Sequence, residues 1–297
     1  MIDIDRFFDT SEKESNSGLE LITSFAAFLI PFFIVLVFQR RISFPDVLNN
    51  MPVIVPVATG TLSLKLVLEK FFDKNIFQEY GIEREYIADL MAGIVLGAIF
   101  QASITFIMVQ TGSAVLVNML SFSTGLPIHL WLLAFISTLI GFLAVAFWEE
   151  LLFRGVLIKR ASEALSSRLE NRQISMLMAL FLGPAIFGIP HVLAIAEGAS
   201  PSFAAFQASI AALYFGIAYL LTNSIAMPTG IHFISNFWFT SIFGASENGF
   251  PAIARIERNL EIGSGAILEF ILPAIILIGL IIGYCKYSGR LDSKNFV

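Results

Sequence analysis

LWLLAFISTLIGFLAVAFWEELL, residues Leu130–Leu152, holds no Asp, Glu, Lys or Arg before Glu149. A helix needs about 20 mostly apolar residues to cross the hydrocarbon of a bilayer. This stretch supplies nearly that many before its first charge. Comparable runs lie on both sides of it: Leu21–Phe38, Met51–Leu68, Tyr86–Gln110, Ile174–Ala196, Ala204–Thr222, Ile225–Phe243 and Gly265–Lys286. Pro52, Pro56, Gly60 and Lys65 make Met51–Leu68 the weakest, either kinked or partly interfacial. Backbone amides cannot face lipid unpaired, so the expected fold class is all-α, a polytopic transmembrane helix bundle of about eight helices. Repeated short alternating segments, the mark of a membrane β-barrel, do not occur. The bundle is expected over residues 21–286, after a polar, flexible N-terminus, 1–20, and before a polar tail, 287–297.

Composition agrees. Apolar residues make up 57% of the 297 and charged ones 14%, against about 25% charged in soluble domains. Net charge is -5 with no basic stripe, so nucleic acid is excluded as a partner and the bilayer is the expected one. The lone Cys285 rules out an intrachain disulfide and a multi-cysteine metal site. The opening MIDIDRFFDTSEKESNSGLE lacks the basic start of a cleaved signal peptide, so the first apolar run is read as a retained anchor. Arg154, Lys159, Arg160, Arg168 and Arg172 form the densest basic cluster. The positive-inside rule puts them in the cytoplasm. Eight alternating spans then place both termini there, in a multi-pass protein of the cell membrane. Arg40 and Arg41 run against that assignment. Glu149–Glu170 mixes apolar and charged residues and reads as a helix leaving the membrane along the cytoplasmic interface. The GxxxG patterns at Gly93–Gly97 and Gly279–Gly283 suit close helix contacts.

Ionisable groups at membrane depth mark a cavity, a pair or a site, and three clusters meet that description. In Glu149-Glu150-Leu151-Leu152-Phe153-Arg154, Glu150 and Arg154 lie one turn apart and can pair. Glu149 sits about 100° round the axis, free to face a cavity and move protons. In Phe187-Gly188-Ile189-Pro190-His191, Phe187 and His191 share a face, and Pro190 is expected to kink or interrupt the helix. In His232-Phe233-Ile234-Ser235-Asn236, His232 and Asn236 share a face as well. Taken singly, the first cluster reads equally well as a charged helix end, and the other two read better as a core histidine and as interhelical glue. Taken together, they supply what hydrolysis of an amide needs. Glu149 would act as general base on water, His191 would orient that water, and His232 with Asn236 would receive the oxyanion.

The same side chains could offer a carboxylate and two imidazoles to a divalent metal such as Zn²⁺. The sequence leaves both schemes open, although the HExxH pattern is absent. His129 reads as interfacial. Two rival readings are a transporter or channel, carried by Gln101, Gln110, Lys65 and Glu269 at membrane depth, and an inactive membrane scaffold.

The three clusters, in this order and spacing, resemble the EExxxR, FxxxH and HxxxN motifs of the CAAX-protease and bacteriocin-processing family. These are intramembrane endopeptidases that include the Ras-converting prenyl-protein proteases. The resemblance covers about Leu130–Phe243. It implies that Glu149 activates water with help from His191, that His232 and Asn236 form the oxyanion site, and that Glu150 and Arg154 support them. It further implies a membrane-associated or lipid-modified protein or peptide as substrate. Family members cut prenylated proteins three residues from the C-terminus, and their metal dependence is disputed.

Helix geometry poses one difficulty. If the fifth segment enters the membrane at Ile174, His191 lies roughly 25 Å across it, far from Glu149. Convergence within about 10 Å requires a later start of the fourth segment near Ser137, its continuation through Ile158, a fifth segment that begins below the membrane, or a break at Gly183-Pro184.

Overall fold

The computed structural model describes residues 17–48, 51–82, 85–119, 126–169, 171–193, 200–244, 251–258 and 267–291. The readings for 1–16 and 292–297 lie outside the described residues. Ten α-helices are found among the described residues: α1 (Ser17–Gln39), α2 (Ile54–Phe71), the short α3 (Ile76–Glu79), α4 (Tyr86–Thr111), α5 (Ile128–Glu150), α6 (Lys159–Leu169), α7 (Arg172–Leu193), α8 (Pro201–Thr222), α9 (Ala226–Phe237) and α10 (Leu272–Tyr287). Seven helical stretches among them are long and apolar enough to cross a membrane. Large apolar side chains such as Phe33, Val37, Phe106, Ile136 and Phe181 point outward from them. In water such a surface would be an aggregation site; here it is a face for lipid. The chain is a multi-pass helical membrane protein.

Each of the eight expected segments is helical over its described residues, apart from Ile225, the N-cap of α9, and Phe243, which opens a strand. Lys65 in α2 is matched by Glu69 one turn on, at 2.8 Å, and α2 runs unbroken behind a short 3₁₀ turn at Met51–Val53. The segment expected at Ile225–Phe243 forms α9 and a π-helical extension, Trp238–Ile242. It is enclosed by protein: Ala226 to Ile234 are all buried.

The contacts fix directions. Phe28 and Phe32 of α1 lie against Trp148, whereas Glu20 reaches Arg160, so α1 runs antiparallel to α5 and α6. Gly93 and Gly97 of α4 meet Met227 and Ile231 of α9 in the same order, so these two are parallel. Tyr284 of α10 bonds Asp89 near the start of α4 at 2.9 Å, and Arg290 reaches Glu85 and Asp89. Both ends of the described chain therefore lie at the end of the bundle that carries the α6–α7 turn.

At the opposite end is an element the sequence reading did not expect, a three-stranded sheet ordered β1–β3–β2. Its strands are β1 (Ala114–Met119), β2 (Phe243–Gly244) and β3 (Ala254–Arg258). β3 pairs antiparallel with β1, Ala114 opposite Arg258, and parallel with β2.

The first GxxxG is a true close contact. A Cβ on Gly93 would run into the Met227 carbonyl oxygen, and one on Gly230 into the backbone at Leu90 and Ile94. Nothing lies near Gly279 or Gly283 among the described residues.

Candidate active site

The depth difficulty is resolved by one long hairpin. α5 does not start near Ser137; it begins at Ile128, and the helix continues through a π-helical stretch, Leu151–Ile158, straight into α6. The whole rod covers Ile128–Leu169, 42 residues, or about 63 Å at 1.5 Å per residue. That is twice the hydrocarbon thickness. α6 therefore continues the rod, and its first residues, Lys159 to Ser162, are buried against neighbours instead of lying along an interface. α7 begins at Arg172, where Asn171 Oδ1 accepts from the Ile174 N–H at 3.0 Å, and climbs back along the rod. Stepping equally from Leu169 and Arg172 brings His191 level with Glu150. The Phe153–Phe187 ring contact, with centroids 5.0 Å apart, marks the same level. α7 is continuous past Gly183, Pro184 and Pro190 to Leu193, so the expected break and interruption do not occur. Packing on α8 holds it, with Ser209 Oγ donating to the Pro184 carbonyl at 3.3 Å.

Four of the expected residues are brought together in contact. Glu150 Oε1 lies 3.0 Å from Arg154 Nη1 and 2.7 Å from His232 Nδ1. The same His232 presents Nε2 toward Glu149 Oε2 at 3.7 Å. Glu150 thus fixes the ring, and the ring's far nitrogen faces Glu149. Glu149 Oε2 is buried without a hydrogen-bond partner among the described residues, which leaves its lone pairs for a water or a substrate. His191 is within electrostatic reach of Glu149. Its Nδ1 sits 2.7 Å from the Phe187 carbonyl oxygen. Nδ1–H donates there, so Nε2 carries the free lone pair. Asn236 lies one turn beyond His232 on α9, half-buried. His129 is exposed at the start of α5.

Aromatic rings position these groups. Phe187 touches His191 (4.5 Å between centroids) and stands edge-on to His232 at 6.1 Å. Phe215 of α8 stacks on the His232 ring at 4.9 Å. Arg154 Cζ lies 4.6 Å from the Phe187 centroid and 4.9 Å from that of Phe215. A guanidinium over two ring faces in a dry setting is worth about 2 kcal/mol or more. Sequence spacing revealed Phe187 but not Phe215, which lies in an ordinary apolar run. The glycine contact between α4 and α9 sets His232 at mid-height of α4. Gln101 Nε2 donates to Ser235 Oγ there at 2.7 Å. Of the other polar groups named for a transport path, Lys65 pairs with Glu69, Glu269 accepts from Thr111 and Ser113, and Gln110 is exposed.

A second ionic cluster sits near the α6–α7 end, where pairwise spacing gave no signal. Arg160 contacts Glu20 (2.8 Å), Glu163 (2.7 Å) and Glu79. Lys74 meets Glu20 at 3.0 Å, and Lys159 meets Glu79 at 2.9 Å. The three carboxylates and three cations join α1, α3, α6 and the α2–α3 link. Burial alone would push Glu79 up, but Arg160 and Lys159 outweigh it and hold its carboxyl below the ordinary value. Burial and Arg160 work against the Lys74 ammonium, yet Glu20 and Glu79 leave it raised.

Among the described residues no group of three His, Cys, Asp or Glu side chains is disposed to hold a metal ion.

Residues 129–238 match the family described as type II CAAX prenyl endopeptidase Rce1-like. No curated protein and no solved structure matches the chain.

Proposed function

We propose that this chain, whose residues 129–238 match the Rce1-like CAAX prenyl endopeptidase family, is a peptidase of that kind and cleaves a peptide bond of a membrane-associated, prenylated protein or peptide by glutamate-activated water. In general terms it is an intramembrane peptidase; bond, substrate and residue roles are the proposal. One observation carries it: Glu149 and Glu150 of α5 close on the two nitrogens of His232 of α9, at mid-height of a membrane bundle and beside His191.

Glu149 Oε2 accepts a proton from water, and the water oxygen attacks the scissile carbonyl carbon. His191 Nε2 accepts from the same water and orients it. The carbonyl oxygen becomes an oxyanion, receiving Asn236 Nδ2–H and His232 Nε2–H. Donation at Nε2 requires the second imidazole proton, and the two flanking carboxylates compensate that charge. Collapse of the tetrahedral intermediate breaks the C–N bond. Glu149 returns its proton to the leaving amine. Glu150 and Arg154 touch no reacting atom; they hold His232 and one another.

The test is to map protein termini in membranes from cells carrying the wild-type chain or Glu149→Gln. Termini present only with the wild type are expected. Identical sets would remove the protease reading.

A further inference from the structure

We propose that Arg258 binds the C-terminal carboxylate of the substrate about three residues beyond the scissile bond, a role that rests on the peptidase reading above. Arg258 ends β3. Strand alternation puts it on the same face as Ala254 and Ile256, both buried, whereas Glu257 points outward. Its Cζ lies 4.0 Å from the centroid of the Phe239 ring. Its Nε is buried without a hydrogen-bond partner. No acidic side chain among the described residues pairs with it, and burial alone lowers its pKa to about 10. Glu269, which sits beside the start of β1, is bonded to Thr111 and Ser113.

An uncompensated guanidinium in such a place is costly. The buried cations among the described residues each have a carboxylate: Arg154 has Glu150, Arg160 has Glu20 and Glu79, Lys74 has Glu20, and Lys159 has Glu79. Arg258, half-buried with its Nε enclosed, has none among them, and it lies along the site's own axis. His232, Asn236 and Phe239 succeed one another along α9 and its π extension. From His232 to Phe239 is about 10 Å of helix. An extended peptide covers about 10 Å in three residues. A chain whose carbonyl is held at His232 and Asn236, and which runs on toward Phe239, would bring its terminus to Arg258. A planar carboxylate matches the guanidinium fork, and its charge supplies the counter-ion that no described residue provides.

The probe is a fluorescent peptide with a prenylated cysteine three residues before its end, made as free acid and as carboxamide. Binding to full-length Glu149→Gln protein in neutral-lipid vesicles is measured, alongside cleavage by the wild type. The acid should bind on the order of tenfold more tightly, or better, the usual worth of a hydrogen bond to a charged group. Arg258→Met should abolish that preference, and Arg258→Lys should keep part of it. In cleavage the preference should appear in KM. Equal binding of acid and amide overturns the inference, whatever the variants do. So does a preference that survives in Arg258→Met, or an Arg258 effect that follows anionic lipid and ignores the peptide terminus, which would make a headgroup the ligand. If the acid binds preferentially but neither peptide is cut, the carboxylate site stands and the peptidase reading falls.

Discussion

Replacing Arg154 by Met keeps most of the side-chain volume and removes the charge that faces Glu150. Arg154 is 1% exposed and Glu150 0%, so water cannot take the place of the lost partner. Breaking one side of a buried pair costs about 3–5 kcal/mol. The lower end applies here, because Glu150 Oε1 keeps its contact with His232. The cation–π contacts with Phe187 and Phe215 are also lost, but a thioether against those rings recovers about 0.3–1.5 kcal/mol. A net loss of about 3 kcal/mol is expected, or about 6 °C at the roughly 2 °C per kcal/mol of larger domains. The assay is tryptophan fluorescence in detergent, scanned at one rate for all variants. Adding Glu150→Gln to Arg154→Met neutralises the pair and should restore at least half of the loss, because a buried pair removed as a whole is nearly neutral. Activity should not return, since a glutamine at 150 cannot compensate charge on His232. If the single and double variants lose the same stability, the ion pair is not what Arg154 contributes.

Gly97→Leu would drive a side chain into Ile231 and Ile234, costing about 1–3 kcal/mol by overpacking; peptidase activity should fall further than the melting point suggests, and activity at full wild-type level would count against α4 as the wall that sets His232. Phe187→Leu should lower kcat on the order of tenfold to a hundredfold, as misplacement of catalytic groups does, while KM measured on the same peptide stays near wild type. Glu79 has a folded-state pKa below its ordinary 4.5, so its contribution is fully present above that value and is lost as pH falls through the lower, folded one. Melting points taken from pH 6 downward should fall less steeply in Glu79→Gln than in the wild type, with unchanged slopes refuting the assignment.

The bundle was legible because uncharged runs of span length have one solution in lipid. The Glu150–Arg154 pair and the Phe187–His191 face were legible because helical spacing alone puts those side chains together. What the spacing cannot carry is register between elements. Nothing in the sequence says that α6 prolongs α5, and without that His191 falls on the wrong side of the membrane. The π-helical stretches after Glu150 and Phe237 shift the helix phase where a regular count fails. The Glu20–Arg160 and Asp89–Arg290 pairs join residues far apart in the chain, so each reads as an isolated charge. β1 hides in an uncharged connection, and Arg258 offers no motif.

The α6–α7 hairpin also works as a ruler. Glu150 and His191 are in step because their limbs have the same number of residues from the turn, as two hands meet when counted out along one folded rope. Inserting a residue in one limb alone would slide its group by about 1.5 Å and swing it by about 100°. Matched insertions of a full turn in both limbs would leave the pair aligned. Length variation in this region should therefore be tolerated as a doublet and punished as a singlet, although none of the added residues would come near the peptide.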